Sequence, residues 1–278
     1  MTSIGRSIAL ALLLASISML TKPVMADDRS IIVQSTTSTA NSGLYAHLLP
    51  AFEAETGIAV HVVAVGTGQA LRNARNCDGD VLLVHDKASE EAFVEEGFGV
   101  ERFDLMYNDF VIVGPPADPA GIDGMQEVTE ALIEIAVNKA LFASRGDDSG
   151  THKKERALWA TSGIDPSEAS GEWYRETGSG MGATLNIAVG MGAYVMTDRA
   201  TWISFRNKDD FTVLIEGQDA LFNQYGVVLI DEKACPQVKT EFGQHFVDWI
   251  RSTAGQDAIS TYRVDGQQLF FPNADPTS

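Results

Sequence analysis

Short apolar runs alternate with longer segments of helical periodicity along most of this chain. Residues 31–35 predict a strand. Residues 43–55 predict a helix, with Pro50 as a kink or restart and Gly57 as its end. A second strand is expected at 59–65, a short helix at 69–76, and a buried, continuously apolar strand at 81–84. An acidic helix at 87–96 closes at Gly97, and a strand at 110–113 ends at Gly114-Pro115-Pro116. A second series follows: helix 128–139, strand 140–144, helices 151–162 and 181–189, strand 193–197, helix 199–206 and strand 211–215. A strand at 225–230 and helices at 239–252 and 256–262 complete it. The alternation predicts an α/β fold with a mixed, mostly parallel sheet flanked by helices. No fixed-period repeat or low-complexity linker divides the chain, so two lobes joined by crossing strands fit better than two tethered domains.

Four of the strand-to-helix passages share one chemistry. They are S-T-T-S-T at 35–39, G-T-G-Q at 66–69, S-R-G-D-D-S-G-T at 144–151 and G-S-G-M-G-A-T at 178–184. A helix start carries unpaired N–H groups and a partial positive charge. Hydroxyls and glycines there let a bare anion approach those donors. Each loop alone is equally an ordinary cap or turn; four in one chain point to an oxyanion pocket. None matches a P-loop or a G-x-G-x-x-G fingerprint. Arg145 is the most pointed residue, since its guanidinium can give two parallel donors to one oxyanion. A salt bridge to Asp147 or Asp148 is the competing use.

Composition narrows the address and the partners. Arg6 followed by the apolar stretch 8–17, and Val24-Met25-Ala26 before Asp27-Asp28, predict a cleaved export signal at 1–26. The apolar stretch is too short to span a membrane. An exported, soluble mature protein follows. Removing 1–26 takes out Arg6 and Lys22 and no acidic residue, moving the formal charge from −18 to −20. Nucleic acid is thereby disfavoured as a partner. An anion site must then work through local donors against the overall field. Cys77 and Cys235 are the two cysteines; an oxidising compartment favours a disulfide between them, with two buried thiols as the alternative. No metal-ligand spacing is present.

A hydrolase was weighed against a receptor. G-D-D-S-G at 146–150 misses the spacing of a nucleophile elbow. His152 follows Ser149 by three residues, and no third orienting group is evident. The sequence favours a binding protein over an enzyme.

The run S-T-T-S-T-A-N-S-G-L (35–44) resembles the signature of TupA-type tungstate-binding proteins, the periplasmic receptors of tungstate ABC transporters. The resemblance continues through A-V-G-T-G-Q-A-L (64–71), D-V-L-L-V-H-D (80–86), M-Y-N-D-F-V-I-V-G-P (106–115), S-R-G-D-D-S-G-T-H-K-K-E (144–155) and G-M-G-A-T-L-N-I-A (180–188). It loosens beyond about residue 230. It implies a two-lobed periplasmic-binding-protein fold of the second type, with lobe I at 27–112 and 226–278 and lobe II at 113–225. It also implies one tetrahedral oxyanion, tungstate or molybdate, held in the interlobe cleft of a monomer with no cofactor or metal cation and delivered to an ABC permease. Carried onto this chain, Thr36, Thr37, Ser38, Thr67 and Gly68 contact the anion from the first lobe. Arg145, Ser149 and Thr151 do so from the second, with backbone N–H groups of Met181, Gly182 or Ala183. Phosphate or sulfate is the alternative ligand, and an exported hydrolase a more distant one. Protonated phosphate wants a carboxylate acceptor, a role open to Asp147 or Asp148; capping of the helix and orientation of Arg145 fit those residues better.

Overall fold

In the computed structural model, which describes residues 29–275, strand and helix alternate from the first described element onward. The export signal expected at 1–26 lies outside the described residues. The first series is β1 (Ser30–Thr36), α1 (Thr37–Asn41), α2 (Leu44–Thr56), β2 (Ala59–Val65), α3 (Thr67–Arg75), β3 (Val81–Val84), α4 (Lys87–Glu95) and β4 (Gly99–Gly114). The second is α5 (Val128–Val137), β5 (Phe142–Ser144), α6 (Gly150–Thr161), β6 (Tyr174–Glu176), α7 (Met181–Met191), β7 (Tyr194–Asp198), α8 (Arg199–Ser204) and β8 (Thr212–Ile215). β9 (Phe222–Ile230), α9 (Thr240–Arg251) and α10 (Thr253–Thr261) follow, then two-residue strands at 263–264, 267–268 and 271–272.

The strands lie in the order β2-β1-β3-β9-β4-β7-β5-β6. β1 pairs in parallel with β2 and β3, and β5 in parallel with β6 and β7. The middle is antiparallel, because β9 runs against both β3 and β4, and β4 runs against β7. β4 joins the two wings. Its first part pairs with β9 as far as Asp109↔Phe222, and from Phe110 onward it pairs with β7.

Each wing has its own apolar packing. On one, Phe52, Phe246 and Trp249 meet edge to face beneath β1, β3 and β9, with ring centroids 5.2 and 5.4 Å from Phe52. On the other, Phe142, Trp159 and Tyr174 form the centre of a cluster closed by Leu132 and Tyr194. Burial of each such side chain contributes on the order of 2 kcal/mol.

β6 and the two-residue strands after α10 have no counterpart in the sequence pattern, and three further elements differ from it. β4 extends over residues 99–109 as well as the expected 110–113, with Arg102 ion-paired to the buried Glu90 of α4 and to Asp104. The S-T-T-S-T run is not all loop: its last three residues open α1, a five-residue helix. Helix α2 continues through Pro50 without a restart and ends on Gly57, whose φ of 67° suits glycine. Cys77 and Cys235 form a disulfide, which ties the chain after β9 to the segment between α3 and β3. Among the described residues no helix is long and apolar enough to cross a membrane.

Candidate functional site

Among the described residues six α-helices start within six residues of a strand end, and their caps sort them into two kinds. α4 and α8 begin on carboxylates: Asp86 accepts from Ser89 N, and Asp198 accepts from Thr201 N and Thr201 Oγ1. A carboxylate satisfies the free N–H groups and repels an incoming anion. The other four are the loops singled out from the sequence. α1 and α6 begin on hydroxyls: Thr36 accepts from Thr39 N, and Ser149 accepts from His152 N. α3 and α7 begin on Gly66 and Gly180, which provide no side-chain cap. Their first-turn N–H groups, Thr67 and Gly68 in one and Met181, Gly182 and Ala183 in the other, therefore face no acceptor side chain.

Tertiary contacts bring these four starts together. Gly150 N donates to Thr67 Oγ1 over 3.0 Å, joining the start of α6 to that of α3. The fit is close: a Cβ on Gly150 would stand 3.0 Å from Thr67 Oγ1 and 3.3 Å from His85 Cε1. A Cβ on Gly68 would stand 2.6 Å from Asp148 Oδ2. Glycine at 68 and 150 is what allows the loops at 66–69 and 144–151 to meet. His85, at the end of the β3 segment, reaches Ser38 of α1 with Nε2 3.1 Å from Ser38 Oγ. The loop before α7 is held to Arg145, whose carbonyl accepts from Ser179 N over 3.2 Å and from Thr177 Oγ1 over 3.3 Å. Further out, Lys153 of α6 ion-pairs with Asp86 at 3.0 Å and donates to Ser89. Burial opposes ionisation of Asp86, but its bonds to Ser89 and Lys153 outweigh that and hold its pKa below the usual carboxylate value.

Within this cluster polar groups are buried and only partly used. Arg145 is 3% exposed. Its Nη2 donates to Asp147 Oδ2 over 2.5 Å, while its Nε is buried with no partner. The Oγ1 of Thr151, also fully buried, has none either. They are two of nine buried side-chain N or O atoms without a partner among the described residues, and His152 Nε2 is a third in the same stretch. Arg145 thus makes the salt bridge weighed for it and keeps a donor in reserve.

Among the sequence-proposed residues, Thr36, Ser38, Thr67, Arg145, Ser149, Thr151 and Met181 are buried at the four starts. Thr37 and Gly182 are half-buried and Ala183 is exposed. Asp147 is consumed by Arg145 and by Ser149 N. Asp148 is exposed, with φ of 56° and a 3.9 Å contact to Arg72. Asp147 is occupied, while the exposed Asp148 carboxylate lies against Gly68 at the edge of the cluster. The imidazole of His152 accepts from Asp148 N through Nδ1 and makes no hydrogen bond to the Ser149 hydroxyl, so no Ser–His pair is assembled. Among the described residues no group of three or more His, Cys, Asp or Glu side chains can hold a metal ion.

The sequence reading missed His85 and Asn223. Both are buried, and they hydrogen-bond to each other across 138 positions of sequence. Burial, the largest influence, lowers the His85 pKa, which keeps the ring neutral. A polar residue ending the apolar run 81–84 was the only local signal for it. Beside the cluster, a cavity of about 510 Å³ has His85, Gly150, Lys153 and Asn223 in its wall.

Known proteins share this fold. A PBP superfamily domain matches residues 23–254. A tungstate-binding protein TupA of Peptoclostridium acidaminophilum is 46% identical over 249 residues, which cover 88% of this chain and 86% of the relative. The chain belongs to the TupA-type branch of the PBP superfamily. Solved TupA-type structures agree with the fold. The tungstate-binding protein TupA of Desulfovibrio alaskensis is 46% identical, with a TM-score of 0.76 over 88% of this chain and 99% of that one. A structure described as the tungstate ABC transporter from Geobacter sulfurreducens is 45% identical, with a TM-score of 0.77 over 84% of this chain and 98% of that one.

Proposed function

We propose that this TupA-type protein is a periplasmic receptor that binds one tungstate, or its near twin molybdate, and hands it to an ABC permease. The carrying observation is the pair of buried, unused donors, Arg145 Nε and Thr151 Oγ1, set among helix starts that lack carboxylate caps. A tetrahedral dianion has acceptors enough for both and for the first-turn N–H groups of α3 and α7. The anion lies between lobe I (27–112 and 226–278) and lobe II (113–225), contacted by Thr36, Thr37, Ser38, Thr67 and Gly68 on one side. Arg145, Ser149, Thr151 and the N–H groups of Met181, Gly182 and Ala183 contact it on the other. The named relatives support tungstate as the ligand.

The carboxylates favour a fully ionised anion. Monohydrogen phosphate carries a proton that needs an acceptor; Asp147 already serves Arg145 and Ser149 N, and Asp148 is solvent-exposed and 3.9 Å from Arg72. The His152 imidazole makes no hydrogen bond to the Ser149 hydroxyl, which supports a receptor over a hydrolase. Delivery to a permease, export to the periplasm and a monomeric state are parts of the same proposal.

Titration calorimetry with tungstate, molybdate, sulfate and phosphate tests it. The expected result is one tungstate per chain with no added cation, comparable binding of molybdate, and no heat from phosphate. Tight phosphate binding without tungstate heat would instead assign the protein as a phosphate receptor.

A further inference from the structure

One buried chain of side chains runs from the proposed anion contacts Thr36 and Ser38 to groups that do not contact the anion. Thr39 Oγ1 lies 2.7 Å from Thr36 Oγ1, which lies 3.1 Å from Ser38 Oγ, which lies 3.1 Å from His85 Nε2. On its other side His85 Nδ1 lies 3.0 Å from Asn223 Oδ1, and Asn223 Nδ2 donates to Asn108 Oδ1 over 2.6 Å. The ring also stacks on Tyr225, with centroids 4.8 Å apart. Ser38, His85, Asn108, Asn223 and Tyr225 are each 6% exposed or less.

The chain ends at a particular place. Asn108 and Asn223 face each other in the β4–β9 ladder, one pair before the register ends at Asp109↔Phe222 and β4 turns to β7. That is where the backbone passes from one wing of the sheet to the other. Hydrogen-bond logic fixes the order of donors. Asn223 gives its amide to Asn108, so its Oδ1 faces His85 and Nδ1 must carry the imidazole proton. A neutral ring then leaves Nε2 as an acceptor, and Ser38 is the hydroxyl that reaches it. Burial lowers the pKa of His85, in keeping with a neutral ring.

We infer that His85 is a positioning residue that locks the Ser38 loop of the anion site to the β4–β9 crossing, so that loop geometry and lobe closure move as one unit. The inference rests on the anion site proposed above. His85 acts through Ser38 and does not touch the ligand. An anion bound at the start of α1 is then felt at the crossing, where a few residues absorb the change between open and closed arrangements. Glutamine at 85 can imitate Nε2 and still accept from Ser38, whereas phenylalanine keeps the ring volume and loses both hydrogen bonds.

The test is a double-mutant cycle read by tungstate calorimetry, with small-angle scattering of the free and saturated states. His85→Phe is expected to weaken tungstate binding about ten-fold or more, the scale of one or two lost buried hydrogen bonds. His85→Gln should regain most of that. Ser38→Ala combined with His85→Phe should lose no more than the worse single variant, and His85→Phe should show a smaller ligand-induced compaction. Thermal melting of each variant separates a folding defect from this effect, because His85→Gln retains the buried polar contact. Unchanged affinity in His85→Phe, or fully additive losses in the pair, would overturn the inference. Absence of tungstate heat from the unaltered protein would instead sink the anion site itself.

Discussion

Replacing Arg145 by alanine is expected to weaken tungstate binding by roughly ten-fold to a hundred-fold. Among the proposed contacts Arg145 alone carries a full charge, in a chain whose formal net charge is −18. Its guanidinium is buried, oriented by Asp147 through Nη2, and left with an unused Nε–H. A hydrogen bond to a charged group contributes about 1.5–3 kcal/mol, which converts to that range of affinity. Arg145→Lys should recover only part, because it keeps the charge and loses the planar fork. A second effect follows from burial. Alanine leaves Asp147 without its cation in a largely desolvated spot, so melting should also fall, by about 1–3 kcal/mol of stability. Calorimetry at a temperature well below melting separates the two effects. Affinity equal to that of the parent would reduce Arg145 to a structural partner of Asp147.

Removing the disulfide is expected to give the largest loss of stability. Cys77 and Cys235 stand 158 positions apart, so the bond closes a long loop of the unfolded chain. Breaking such a link typically costs about 2–5 kcal/mol, or roughly 5–15 °C of melting temperature for a protein of this length. The double variant Cys77→Ser, Cys235→Ser should show that drop. Its tungstate affinity should be unchanged, because Cys77 follows the C-terminal end of α3, the end opposite the Thr67–Gly68 start that enters the proposed anion site. Equal melting of the parent with and without reductant, or two free thiols in the unfolded parent, would contradict it.

Much of the fold was legible because local pattern and tertiary role coincide. Val81–Val84 reads as a buried strand and is one, since every residue in it faces apolar neighbours. The same holds for the four helix starts, whose glycines and hydroxyls have local reasons to be there. β4 was read only over its last four expected positions. Glu101, Arg102 and Asp104 break the apolar pattern upstream, and Arg102 is accommodated there by Glu90, which comes from α4. That partnership exists only in three dimensions. His85 was hidden for a similar reason: its two hydrogen-bond partners, Ser38 and Asn223, lie 47 and 138 positions away. The caps were half legible. Asp86 and Asp198 could have been set aside as helix starts closed to anions, because an acidic residue at the cap is visible in the sequence itself.

The most direct measurement is an anomalous difference map at the tungsten absorption edge from crystals grown with tungstate. A single strong peak is expected in contact with Arg145 Nε, Thr151 Oγ1 and the first-turn N–H groups of α3 and α7. A peak elsewhere, or none at saturating tungstate, would contradict the assignment of these loops as the anion site.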